Sequence, residues 1–182
     1  HACVTTPTYE IKCWGMNVAG ELGYGDVVDR GHDPEDMGAG LPIVDLGAGI
    51  TATAITGGTH TQCVLLSDSR VKCWGSGEFG ALGSGDEVYR GDGPGEMGDA
   101  LPFVDLGQGL TVAEIVAFSS SACAVFTDGR LKCWGGNGEG KLGLGDTANR
   151  GDEPGEMGDA LPRVDLGAGQ KVAARAASGR AR

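Results

Sequence analysis

The sequence predicts an all-β protein built from three repeats of about 60 residues. The segment Arg70–Gly75 returns nearly unchanged as Glu10–Gly15 and as Arg130–Gly135, and the interval is 60 residues both times. Glycine accounts for 35 of the 182 residues, far above the roughly 7% of ordinary proteins, and many glycines stand at fixed offsets in the repeat. Such a period is typical of stacked units, and recurring glycines predict tight turns between short strands.

Four short strands are predicted in each repeat, and the repeat Leu101–Arg150 shows them most clearly. Each candidate is a short apolar run bounded by glycine, proline or turn residues. The four candidates are Phe103–Leu106, Val112–Phe118, Cys123–Phe126 and Arg130–Trp134. Four strands with glycine-rich connections and a buried aromatic residue indicate a blade that stacks against its neighbours around an axis.

The six cysteines form three pairs with a spacing of ten residues, Cys3/Cys13, Cys63/Cys73 and Cys123/Cys133. The three-residue turn Thr127–Gly129 places Cys123 opposite Cys133, and the other repeats have similar turns at Ser67–Ser69 and Thr6–Thr8. The histidines share no metal-ligand spacing with these cysteines. Three disulfides within hairpins are therefore predicted, and they indicate an oxidising compartment, extracellular or periplasmic.

The repeat pattern divides the chain into five parts. These are a half blade with the last two strands (1–30), a loop with a complete blade (31–90), a second such pair (91–150), a loop with the first two strands of a blade (151–177) and a frayed tail (178–182). Arg175 replaces the isoleucine of earlier copies before this tail. Because the chain begins at His1 and not at Met, we expect a processed product or a piece of something longer.

The charge is concentrated in three loops. The net charge is −11, and the segments 26–45, 86–105 and 146–165 hold 18 acidic residues against four arginines. This charge disfavours nucleic acid and anionic membranes as partners. No apolar run approaches the roughly 20 residues needed to cross a bilayer, so membrane insertion is not expected.

The acidic loops are the candidate metal site. Carboxylates with glycine bends suit Ca²⁺, which takes six to eight oxygen ligands. The competing interpretation is a solvated acidic rim that serves as a partner-binding face, and we favour it because no loop has EF-hand spacing. We predict no other cofactor. The candidate ligands are Asp86, Asp92, Glu96, Asp99, Asp146, Asp152, Glu156 and Asp159.

Other motifs favour structural roles. Trp14, Trp74 and Trp134 recur with the repeat, so we expect them to fill the space between blades and not to form a stacking surface for sugars or bases. Arg90–Asp92 and Arg150–Asp152 spell an adhesion tripeptide, but we expect each arginine to form a local ion pair. No nucleophile–base pair or phosphate loop recurs, so no enzymatic activity is expected.

The motif Val71–Gly75, followed by Gly80–Gly85 and then by Pro102, Val104, Leu106 and Ile115, resembles the repeat of the regulator of chromosome condensation family. The paired cysteines look like those of its bacterial, exported relatives. The resemblance implies a β-propeller, usually of seven blades. It also brings two functional classes, guanine-nucleotide exchange factors and propellers that bind or inhibit proteins.

We therefore predict a non-enzymatic extracellular repeat protein for protein–protein binding or assembly. The alternative is a propeller that acts on one specific protein as an exchange factor or inhibitor. Three units make too tight a ring, so we expect the strand edges to pair with missing repeats or another copy. Two chains would give a six-bladed ring, and an interface that does not close would give a filament.

Overall fold

The computed structural model describes residues 1–172, which form three antiparallel sheets and confirm the predicted all-β class. The predicted tail 178–182 and Arg175 lie outside the described residues. The first sheet pairs β1 (Ala2–Thr5) with β2 (Ile11–Trp14). The second orders β3 (Ala52–Gly57), β4 (Thr61–Leu66) and β5 (Val71–Gly75), and the third β6 (Val112–Phe118), β7 (Ser121–Phe126) and β8 (Leu131–Gly135).

The helical segments of residues 1–172 are single 3-10 turns in the connections. They span Pro34–Asp36, Glu78–Gly80, Gly98–Ala100 and Gly158–Ala160. Within this part of the chain, no helix has the length and apolar character to cross a membrane.

The hairpins follow the predicted register. Phe126 N–H donates to the Arg130 carbonyl at 2.9 Å, and Gly129 closes the turn with φ of 82°. In the first hairpin the loop is 7–9, one residue later than predicted, because Thr6 N–H already pairs with the Glu10 carbonyl. The three predicted disulfides are confirmed, each between residues that face each other across a hairpin: Cys3–Cys13, Cys63–Cys73 and Cys123–Cys133.

One predicted strand is wrong. The segment Phe103–Leu106 forms only an isolated bridge, and it lies against the preceding sheet: Phe103 pairs with Lys72 of β5, and Val104 N–H donates to the Val71 carbonyl at 2.8 Å. The Asp105 carbonyl, beyond this bridge, accepts from Gly158 N–H in the next acidic loop. The bridge therefore joins β5 to a segment of the acidic loop that follows its sheet.

The hydrophobic core lies between neighbouring sheets. Side chains of β2 and of the residue 44–46 segment pack on β4 and Trp74. A second cluster repeats this arrangement between β4–β5 and β6–β7, where it includes Trp134. A sheet of three short strands cannot bury its own faces, so each unit depends on its neighbour for its core.

An indole hydrogen bond joins each unit to the one before it. Trp74 Nε1 donates to the Glu21 carbonyl at 3.0 Å, and Trp134 Nε1 donates to the Ala81 carbonyl at 3.2 Å. Both acceptors lie in the glycine-rich segments that we call connectors, Gly20–Asp26, Gly80–Asp86 and Gly140–Asp146. A Cβ atom at Gly23 would lie 2.7 Å from Trp74 Nε1, so glycine is required for the indole to reach the connector.

We predict that Trp134→Ala lowers the free energy of unfolding by about 3–5 kcal/mol, the usual range for a truncated core tryptophan. Trp134 is fully buried and carries the inter-unit hydrogen bond. Urea denaturation followed by circular dichroism measures the loss. The matched control is Trp14→Ala, which removes the same side chain from a partly buried position. Equal losses in the two variants would contradict the assigned role.

Candidate functional site

Each acidic loop begins with an aspartate–arginine pair. Asp86 Oδ2 lies 2.8 Å from Arg90 Nη2, and the pairs Asp26–Arg30 and Asp146–Arg150 repeat the contact at 2.7 and 2.6 Å. The hydrogen bond from Arg90 lowers the pKa of Asp86 to about 2. The predicted local pairing of these arginines is confirmed, and it fixes the start of each loop.

A second carboxylate closes the middle loop on itself. Glu96 Oε2 accepts from the N–H groups of Gly91 and Gly93, both at 2.9 Å. Burial raises the pKa of Asp92, and the neighbouring Glu96 carboxyl raises it further. Glu156 repeats the arrangement in the next loop, accepting from Gly151 N–H at 2.8 Å.

A third carboxylate reaches the preceding unit. Asp99 Oδ1 accepts from Ala48 N–H, and Asp159 Oδ1 accepts from Gln108 N–H, both at 3.1 Å. Each contact spans 51 residues of sequence. The acidic loops therefore contribute to the junctions between units as well as to the surface.

The candidate calcium ligands do not converge. In the described part of the chain, no group of three or more His, Cys, Asp or Glu side chains is placed to hold a metal ion. The candidates instead divide among arginine pairs, loop closure and inter-unit contacts. Asp92 Oδ1 and Asp152 Oδ1 are buried without a hydrogen-bond partner within residues 1–172. The eight are Asp86, Asp92, Glu96, Asp99, Asp146, Asp152, Glu156 and Asp159.

We predict that adding Ca²⁺ or a chelator leaves the melting temperature unchanged. Six of the eight candidate carboxylates already accept hydrogen bonds from the fold, and no three of them are placed to hold one ion within residues 1–172. Differential scanning calorimetry in calcium buffer and in chelator provides the measurement. A ligand bound only to the native state would raise the melting temperature, so a lower value in chelator would restore the calcium interpretation.

Two buried lysines were not recognised from the sequence. Lys72 is 1% exposed, and its Nζ donates to the carbonyls of Leu46 and Gly98 at 2.9 and 2.7 Å. Burial lowers the pKa of this ammonium group. Lys132 makes the same two contacts with Leu106 and Gly158. The available indication was that a lysine recurs inside an otherwise apolar strand motif.

A carboxylate–imidazole hydrogen bond is specific to the first junction. Glu21 is fully buried, and its Oε1 lies 2.6 Å from His60 Nδ1, while Oε2 accepts from Ala19 N–H. The equivalent positions of Glu21 in the other connectors are Ala81 and Lys141. This contact therefore distinguishes one inter-unit junction from the other.

The adhesion tripeptides are engaged inside the fold. A Cβ atom at Gly20 would lie 2.4 Å from Asp92 N, and Gly25 N–H donates to the Gly91 carbonyl at 3.0 Å. Gly91 is buried, and Arg90 is held by Asp86. The segment Arg90–Asp92 thus packs on the preceding connector and is not presented as a free loop.

The tryptophan of the first unit is less buried than the tryptophans of the other two units. Trp74 and Trp134 are fully buried between units, whereas Trp14 is only partly buried. The third connector shows the complementary surface: a Cβ atom at Gly143 would meet Val164, where Gly23 and Gly83 each meet an indole. We call Trp14 and the third connector the two edge surfaces.

Comparison with known proteins relates this architecture to solved folds. The chain is 34% identical over 141 residues to the ultraviolet-B receptor UVR8 of Arabidopsis thaliana, covering 76% of this chain and 28% of UVR8. Human WBSCR16 superposes with a TM-score of 0.60 at 18% identity, over 90% of this chain and 37% of WBSCR16. Prp20p of Saccharomyces cerevisiae gives 0.61 at 17% identity, over 90% and 36%. No protein-family model matches the chain.

Proposed function

Since the chain belongs to the regulator of chromosome condensation (RCC1-like) repeat family, we propose that it is a non-enzymatic protein-binding module of an oxidising compartment, extracellular or periplasmic. Prp20p, which has the same fold, has binding properties to Gsp1p and histones, so a protein of this fold binds proteins. The chain spans between 28% and 37% of the length of these similar proteins.

The side chains that could support catalysis are used in structural contacts. Glu21 and His60 join two units, the carboxylates of the acidic loops accept backbone hydrogen bonds, and both buried lysines hold loop carbonyls. The six cysteines are bonded in hairpins. This use of polar groups supports a binding function over an enzymatic one.

The partly buried Trp14 is the observation that carries the proposal. Within the chain, an indole contacts a connector twice. At the two edge surfaces, within residues 1–172, the indole of Trp14 lacks such a connector and the third connector lacks such an indole. A further RCC1-like unit, from another copy or from additional repeats, would bury Trp14 as Trp74 and Trp134 are buried. A closing contact of this kind between two chains gives a six-bladed ring, and a non-closing one gives a filament.

The alternative is action on one specific protein as an exchange factor or inhibitor. Structural similarity to Prp20p is its support. At 17% identity this similarity establishes the fold alone, so we rank protein binding first.

We predict that the 182-residue chain self-associates at micromolar concentration and that Trp14→Ala weakens the association by about tenfold or more, as expected for a central aromatic anchor. Light scattering over a concentration series measures this. The control is Tyr9→Gly, which removes an exposed aromatic side chain from a hairpin loop. A stable monomer, or an association indifferent to Trp14→Ala, would contradict the proposal.

The compartment has its own test. Peptide mapping without reduction, on protein isolated from its native location, should recover the three hairpin disulfides and no free thiol. Recovery of reduced cysteines would contradict export.

A further inference from the structure

The middle unit departs from the repeat at one exposed aromatic residue. Phe79 is 46% exposed and has φ of 59°, in the left-handed region that side chains other than glycine rarely adopt. The equivalent positions are Ala19 and Glu139, and neither has a positive φ. The first and third units are therefore built without this side chain and without this conformation.

The surrounding contacts hold Phe79 in this conformation. Its N–H donates to Glu87 Oε1 at 2.9 Å, and the Tyr89 hydroxyl donates to Glu78 Oε1 at 2.9 Å. These bonds join the turn that contains Phe79 to the start of the acidic loop. A backbone that is held in place before binding loses little conformational entropy when a partner covers its side chain.

A glycine substitution within the repeat makes this arrangement fit. Asn17 and Asn137 are buried in the first and third units, where each side-chain amide donates to the following loop. The middle unit has Gly77 instead, and a Cβ atom there would lie 2.3 Å from the Val88 carbonyl oxygen. The loop thus occupies the space that an asparagine fills in the other units.

The neighbouring unit supports the ring from behind. A Cβ atom at Gly136 would lie 3.3 Å from Phe79 Cβ. Phe79 therefore rests against the third unit and still exposes almost half of its surface. Val88, in the loop that is bonded to this turn, is 57% exposed.

The charge around these apolar side chains is negative. Glu78 and Glu87 are both exposed, whereas Asp86 in the same loop is paired with Arg90, and the chain has a net charge of −11. An acidic partner or a second copy of this chain would meet like charge here, whereas lysine and arginine side chains would be attracted.

We propose that Phe79 and Val88, flanked by Glu78 and Glu87, form a docking surface for a basic segment of a partner protein that presents an apolar side chain. The inference rests on the proposed protein-binding function but uses a surface that does not include Trp14. Aromatic anchors that are held in place and surrounded by polar groups are typical of interface hot spots.

The test uses the full chain and a short fluorescein-labelled peptide in which a central leucine is flanked on each side by two lysines. Fluorescence anisotropy should show binding that saturates below about 1 mM and weakens as salt is added. Phe79→Gly should weaken it by about tenfold or more, as for other anchor truncations. The same variant should leave the melting temperature equal or higher, because glycine tolerates the positive φ.

The control variant is Tyr9→Gly, an exposed aromatic residue with φ of 62° in a hairpin loop. Tyr9→Gly also replaces a residue of positive φ by glycine, and it should leave peptide binding unchanged. Control peptides replace the leucine by serine or the lysines by glutamate, and both should bind at least about tenfold more weakly if apolar and charged contacts each contribute.

Three results would overturn the inference: no binding, binding that is insensitive to Phe79→Gly, or a lower melting temperature in that variant, which would assign Phe79 to the fold. The self-association of the chain is measured separately by light scattering. Association without peptide binding would therefore reject this surface alone, while the loss of both would reject the protein-binding function as well.

Discussion

The hydrogen bond from an indole to the preceding connector is the constraint on which the remaining structure depends. Each sheet has two or three short strands, and its apolar side chains find partners mainly on the neighbouring sheet. The tryptophan at the end of the third strand fills this space, and its Nε1 satisfies a connector carbonyl that would otherwise be buried without a donor. The glycine-rich connector follows from this contact, because a Cβ atom at Gly23 or Gly83 would collide with the indole.

The acidic loops are organised by the same junctions. Each buried lysine places its ammonium group between two carbonyls. One is the carbonyl of Leu46 or Leu106, and the other is that of Gly98 or Gly158 in an acidic loop. Burying an ammonium group without compensating hydrogen bonds costs roughly several kcal/mol. The two carbonyls must therefore keep their positions beside each lysine. Asp99 and Asp159 add contacts to the preceding unit. The carboxylates are consequently distributed along the junctions and are not gathered into one site.

Recurring local features were predictable from the sequence. The strand Val112–Phe118 and the hairpin disulfides depend on residues close in sequence, and both have the predicted bounds or partners. The family was also recognisable, since its motifs recur in register.

Apart from the one-residue shift of the first hairpin loop, the errors and omissions concern contacts between units. Phe103 pairs with the preceding sheet, where its ring also covers the cations of Arg70 and Lys72, at 3.6 and 4.7 Å from the ring centroid. An apolar run in the sequence does not reveal which sheet it joins. Glu21 and His60 are 39 residues apart in sequence. Phe79 needed a backbone angle that the sequence alone does not show.

Hydrogen exchange of the three indole N–H groups, followed by NMR, tests the central role of the indole contact most directly. One protein supplies both the fully buried and the partly buried cases. The account predicts slow exchange at Trp74 and Trp134, whose N–H groups are bonded between units, and fast exchange at Trp14 at concentrations where the chain is monomeric. Equal exchange rates at all three tryptophans would contradict it.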